Sequence, residues 1–135
     1  MILVDTNVLL DIVLDDPNCS AWSLAALQSA STTDTLAINP VIYAELSIAF
    51  ARIEELEQVL SDGGLTVEPI PREGLFLAGK AFLKYRKQHG GAKTNVLSDF
   101  FVGAHAAVTD STLITRDVGR YRACFPTVRL VTTSS

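Results

Sequence analysis

Apolar positions along this chain follow two rhythms. Short apolar runs at Ile2-Leu3-Val4, Leu36-Ala37-Ile38, Leu65-Thr66-Val67, Thr112-Leu113-Ile114-Thr115 and Val128-Arg129-Leu130-Val131 read as strands buried on both faces. Between them apolar residues recur at helical spacing. Thr6-Asn7 can cap a helix that turns Val8, Leu9 and Ile12 inward. Asp16-Pro17 predicts the start of a second helix running to about Ala30, with Trp22, Ala25, Ala26 and Leu27 on its buried side. Asn39-Pro40 opens a third, with Ile42, Leu46 and Ala49 inward. A fourth, from Ile53 to Leu60, stops at Gly63-Gly64. Pro71 opens the longest, to about His89, with Leu75, Ala78, Phe82 and Tyr85 in register and Gly90-Gly91 at its end. Ser98-Asp99 caps another, from Phe100 to about Val108. Strands alternating with helices predict an α/β fold, a three-layer α/β/α sandwich around a parallel sheet of four to five strands.

At 135 residues, 48% of them hydrophobic, the chain fits one domain, 1–135, with a real core. This excludes a disordered or low-complexity protein. No apolar run reaches the roughly 18 residues of a membrane span. Asp5 interrupts the N-terminal apolar run and no basic region precedes it, so no export signal is expected. Cys19 and Cys124 fit no metal-ligand spacing and are expected as free thiols. A cytoplasmic location follows as the expectation.

The net charge of −4 argues against a nucleic-acid partner, but its distribution changes that picture. Residues 1–71 hold eleven acidic side chains and one basic, Arg52. Residues 72–135 hold ten basic and four acidic. One half is acidic and the other offers a basic face. The acidic half also carries Trp22, Leu24 and Phe50, which predicts a groove for a partner segment bearing Arg or Lys.

Four carboxylates stand in unusual places. Asp5 ends the first strand where a helix begins, the position at which open α/β sheets bind ligands. Asp117 follows the fourth strand, Asp99 opens a helix, and Glu45 sits among apolar helical neighbours. Each has an ordinary alternative: Asp5 and Asp99 as helix caps, Asp117 as a turn residue, Glu45 as a solvated side chain. A parallel sheet can bring all four to one cleft, where they repel each other unless a cation answers them. An all-oxygen donor set suits Mg²⁺ or Mn²⁺ and not zinc. Paired divalent ions can activate water and stabilise the leaving oxygen of a phosphodiester.

The segments Val4-Asp5-Thr6-Asn7-Val8-Leu9, Tyr43-Ala44-Glu45-Leu46, Ser98-Asp99-Phe100-Phe101-Val102-Gly103-Ala104-His105-Ala106 and Leu113-Ile114-Thr115-Arg116-Asp117 resemble, in order, the four blocks of PIN-domain nucleases. The likeness covers nearly the whole chain and is nearest to VapC-type toxins, the ribonuclease halves of type II toxin–antitoxin pairs. The resemblance implies a PIN-like fold and a Mg²⁺-dependent endoribonuclease, with Mn²⁺ as a substitute ion. Asp5, Glu45, Asp99 and Asp117 would be its catalytic acids, and Asp5, Asp99 and Asp117 its metal ligands. Thr6, Asn7, Ser98 and Thr115 would support them. It also implies an RNA substrate, a homodimer and inhibition by a VapB-type antitoxin.

Lys80, Lys84 and Lys87 share a helical stripe, with Arg86 and Lys93 nearby. With Arg116, Arg120 and Arg122 they are candidates to hold RNA phosphates, against a plain reading as solubilising charge. His105 reads as a packed histidine and His89 as a helix C-terminal residue. A haloacid-dehalogenase-like phosphatase would also place an acid after the first strand, but it needs a second acid where this chain has Asn7. A non-catalytic PIN-fold binding module is the remaining alternative.

Overall fold

The computed structural model describes residues 1–90 and 97–132. In chain order the elements are β1 (Ile2–Val4), α1 (Thr6–Val13), α2 (Ser20–Ser31), β2 (Leu36–Ile38), α3 (Pro40–Ser47), α4 (Ile53–Asp62), β3 (Leu65–Val67), α5 (Arg72–Gln88), α6 (Leu97–Val108), β4 (Thr112–Ile114), α7 (Gly119–Cys124) and β5 (Leu130–Val131). The five strands form one parallel sheet in the order β3-β2-β1-β4-β5. β1 is central, flanked by β2 and β4, and the chain reverses its direction of travel there. Around the sheet, α1 packs on α2 and α3, α3 also meets α4 and α6, and α6 packs against α5 and α7. The three central strands are nearly water-free: Leu3, Val4, Ala37, Ile38, Leu113 and Ile114 are fully buried. Among the described residues no helix is long and apolar enough to cross a membrane.

Several boundaries differ from the sequence expectation, each for a local reason. α2 starts at Ser20 and not at Pro17. The Asp16 carboxylate accepts from the backbone N–H groups of both Asn18 and Cys19 at 2.9 Å, which folds residues 17–19 into a turn. Its fully buried residues are Leu27 and Ser23, whose hydroxyl donates to the buried Asp11 at 2.8 Å; Trp22 and Ala26 pack against the core half-buried as expected, and Ala25 is exposed. Asn39 caps α3 as expected, its side chain accepting from Ile42 N–H at 3.0 Å. That helix ends at Ser47, short of Ala49. On α5 the buried stripe runs through Gly74 and Ala78, and Leu75 is exposed. Gly74 allows a close approach: a Cβ there would stand 3.1 Å from Ile70 and 3.3 Å from Val108. α6 begins at Leu97, so Ser98 and Asp99 lie within its first turn and do not precede it. The sequence reading did not include α7.

α6 is buried almost all round, by Phe100, Val102, Ala104, His105 and Ala106. Gly103 lets the chain beyond α7 press onto it, since a Cβ there would clash with the Phe125 ring. Phe100 in turn packs edge-on against Phe82 and Phe125. These contacts fix α5, α6 and α7 as one unit beside β4.

Candidate functional site

The site lies at the carboxyl edge of the sheet, where β1 and β4 diverge into their helices. Asp5 extends the β1–β4 ladder by one bond, its N–H donating to Ile114 C=O at 2.9 Å. Its side chain then caps α1, Oδ1 accepting from Thr6 N–H at 2.8 Å. The capping role and the place in the cleft are thus both real. Oδ2 accepts from the Thr115 hydroxyl at 2.9 Å and the Tyr121 hydroxyl at 2.8 Å. The carboxylate is 5% exposed, and burial is the main cause that pushes its pKa up to about 6, against the three donors that lower it.

Asp99 faces Asp5 across the Tyr121 hydroxyl, which also lies 3.5 Å from Asp99 Oδ1. The Asp99 pKa is raised, by desolvation first and further by Asp117 and Glu45, while the paired Arg120 guanidinium pulls it down. Glu45 is half-buried and accepts from the Thr6 hydroxyl at 2.6 Å. Asp117 is exposed at the rim, its backbone N–H donating to Thr115 Oγ1 at 3.1 Å. The sequence-derived acids therefore gather at one edge, two facing each other and two around them. Burial and the two acids push the Tyr121 phenol far above its ordinary range, so it stays protonated as a donor.

The supporting residues do separate jobs. Thr115 spends its one proton on Asp5 and accepts from Asp117 N–H and, at 3.3 Å, from Asn7 Nδ2. The Asn7 carbonyl accepts from Arg116 N–H at 3.2 Å, so this one amide ties the start of α1 to the loop after β4. Thr6 links Glu45 to the same corner. Ser98 is half-buried in the first turn of α6 and bonds none of the four acids. His105 is buried, and Asn39 Nδ2 lies 3.3 Å from its Nδ1. Because Asn39 Oδ1 is already the cap of α3, Nδ2 must donate, and Nδ1 of a neutral imidazole accepts. Desolvation lowers the His105 pKa in keeping with this.

Among the basic candidates, Lys80, Lys84 and Lys87 are exposed on α5. Lys93 lies outside the described residues. Arg116 is committed elsewhere: its Nε and Nη2 contact the two Asp11 oxygens at 2.5 and 2.9 Å. Sequence reasoning missed Tyr121 and the pairing of Arg120 with Asp99. The available signal was Val118, Tyr121 and Phe125, spaced three and four apart, one helical face directly after Asp117.

Asp5 and Asp99 offer oxygen donors only, and burial raises the pKa of both. Among the described residues no group of three or more His, Cys, Asp or Glu side chains is placed to hold a metal ion. Two carboxylates alone suit only a hard divalent ion that retains several of its waters.

Residues 2–126 match the PIN domain family. The chain belongs to that family. No curated protein matches it by sequence. Its PIN fold is shared with solved structures at low identity. A chain of VapBC2 from Rickettsia felis, bound to a DNA fragment from their promoter, is 20% identical with a TM-score of 0.74, the match covering 99% of this chain and 100% of that one. A chain of FitAcB from Neisseria gonorrhoeae is 24% identical with a TM-score of 0.68, covering 96% of each. A chain of DNA-bound VapBC from Salmonella typhimurium is 15% identical with a TM-score of 0.68, covering 98% of each.

Proposed function

We propose that this PIN domain is a Mg²⁺-dependent endoribonuclease, the toxin of a type II toxin–antitoxin pair, which hydrolyses RNA phosphodiester bonds. The observation that carries the reading is the buried Asp5 at the sheet's switch point, facing Asp99 with Glu45 and Asp117 beside them. Family membership and the likeness to VapBC and FitAcB chains support it.

Asp5 and Asp99 would hold the cation, with Asp117 at the rim. When bound, it supplies an activated water and charge stabilisation of the phosphodiester. The chain's own residues prepare that space. Thr6 N–H, Thr115 and Tyr121 fix both Asp5 oxygens in place. Asn7 holds the two loops together. Glu45, oriented by Thr6, adds negative charge that favours a cation. Exposed lysines on α5 supply a basic approach for phosphates.

A VapB-type antitoxin and a homodimer belong to the same proposal. The half that carries the charge of −10 holds a groove of about 260 Å³ lined mainly by the apolar Tyr43, Phe50, Ile53 and Leu56, with Ser47 and Arg52 also on its wall. Trp22 packs against the core elsewhere. Co-expression with a small neighbouring gene product is expected to give a stable complex, and separate elution at micromolar concentration would count against it.

The deciding assay is cleavage of structured RNAs, with single-stranded DNA in parallel, in Mg²⁺, Mn²⁺ or chelator. Asp5→Asn is expected to abolish RNA cleavage while keeping the fold. Equal cutting by this variant, or by the wild type in chelator, overturns the reading. The Arg120–Asp99 pair favours one alternative, a binding module without catalysis. It predicts RNA binding and no cleavage with any ion.

A further inference from the structure

Arg120 is the one side chain in the cleft whose bonding does not close. It pairs with Asp99 through a single guanidinium nitrogen, with both side chains about a quarter exposed. Its guanidinium carbon lies 5.7 Å from the centre of the Tyr85 ring. Its Nε is buried and has no hydrogen-bond partner among the described residues. Arg–carboxylate pairs are frequently bidentate, with two parallel bonds, and this one is not. An unmet buried N–H carries a desolvation penalty that such a fork avoids. Arg120 accepts that penalty to bring its charge to the acids.

We propose that Arg120 is a resident counter-ion, which neutralises Asp99 while the divalent cation is absent and competes with that cation for it. The inference rests on the cation reading of the site. A divalent ion on Asp99 and a guanidinium in contact with the same carboxylate repel at short range. The guanidinium must therefore withdraw as the ion enters. Its long, partly exposed side chain permits this, at the loss of the bond to Asp99 and of the contact with the Tyr85 ring. Asp99 keeps a cationic partner in both states, and cation uptake acquires a threshold set by the ion pair. Tyr121, adjacent in sequence, keeps its bond to Asp5 during the exchange.

The test is calorimetric titration of Mn²⁺, without RNA, into the wild type, Arg120→Gln, Arg120→Met and Arg120→Lys, with circular dichroism confirming the folded state. Both neutral variants are expected to bind Mn²⁺ roughly threefold to tenfold more tightly, the range expected for removing a competing ion pair that is partly screened by solvent. Arg120→Lys should fall between them and the wild type. The rise in Tm caused by saturating Mn²⁺ should also be larger in the neutral variants. A merely structural role for Arg120 predicts the opposite, weaker binding. If one neutral variant fails to fold, the other decides. Affinity in the folded neutral variants that equals or falls below that of the wild type overturns this inference alone. Absence of divalent binding in the wild type and in both neutral variants overturns the cation reading and this inference with it.

Discussion

Two arginines four positions apart each pair with an aspartate and behave differently. Arg116 meets Asp11 with two bonds, and the remaining capacity of Asp11 is taken by the buried Ser23 hydroxyl. The pair closes on itself and pins the loop after β4 to α1. Arg120 meets Asp99 with one bond and leaves its own Nε unmet. Asp99 and its neighbour Asp5 both have raised pKa values, from burial that their donors do not fully offset. The difference lies in satisfaction. A buried acid whose bonds close is part of the scaffold, whereas one left with excess charge beside a second acid is ready for a ligand.

The largest test of that contrast is Asp5→Asn. Beyond losing about a hundredfold or more in cleavage, the variant should be more stable than the wild type in chelator. The folded pKa of about 6 lies above the ordinary 3.8. The folded protein therefore holds a proton that the unfolded chain has already released, and stability falls as pH rises from about 4 to about 6. Above that window the charge costs about 3 kcal/mol. Asparagine should recover about 1–2 kcal/mol of it, less than the whole because its amide must still meet two hydroxyl donors. The advantage should vanish near pH 4. His105, whose pKa is lowered, acts in the other direction, withdrawing stability as pH falls below its ordinary 6.5. Only the difference between variant and wild type isolates Asp5. Chemical denaturation across this range measures it, and a variant less stable at pH 7 would break the comparison.

Asp11→Ala probes the closed pair. It strands a buried Ser23 hydroxyl and removes the partner of Arg116, and should cost about 2–3 kcal/mol. The lower end is expected because Arg116, a third exposed, can recover water. Cleavage per folded molecule should stay near wild type. Strong loss of cleavage without loss of stability would move Asp11 from scaffold to site.

Tyr121→Phe should act in between. It removes one donor from Asp5 and nothing from the core's shape. Stability should change by about 1 kcal/mol, and divalent affinity should fall about tenfold as Asp5 loses its orientation. Titration calorimetry separates the two effects. Unchanged affinity would make the phenol a packing group only.

How far the sequence disclosed these regions follows from the range of the interactions. All five strands were legible, because each is a short apolar run between turn signals, and so was the cap at Asn39. Asp5 was legible because a carboxylate directly after an apolar run has few places to go. The start of α2 was not, since it depends on a side chain folding back onto Asn18 and Cys19. Ser23 reads as a surface residue until Asp11 is known to stand opposite. α7 has only six residues, so its one signal, the spacing of Val118, Tyr121 and Phe125, is too short to stand out. The role of Tyr121 depends on a contact spanning 116 positions, which no local window contains.

The smallest expected effect falls on the basic face. Lys84 is exposed on α5 and lines a small hollow with Tyr85, Ala123 and Cys124, against α7. Tyr85 also underlies Arg120, so Lys84 is the stripe member that borders the cleft. Lys80 lies one helical turn away, 5.2 Å above the Phe76 ring. A lysine that holds one phosphate contributes charge without geometry, so its loss should weaken binding alike across RNA sequences. Lys84→Ala should therefore reduce RNA affinity by a few-fold at low salt and lower the slope of log affinity against log salt by about 0.7, the value for one phosphate of a single strand. Turnover at saturating RNA should be unchanged. Lys80→Ala should do less on both counts. Fluorescence anisotropy at several salt concentrations reads the slope directly. Equal slopes for Lys84→Ala and the wild type would return this lysine to the solvated surface and leave the acids to find RNA without it.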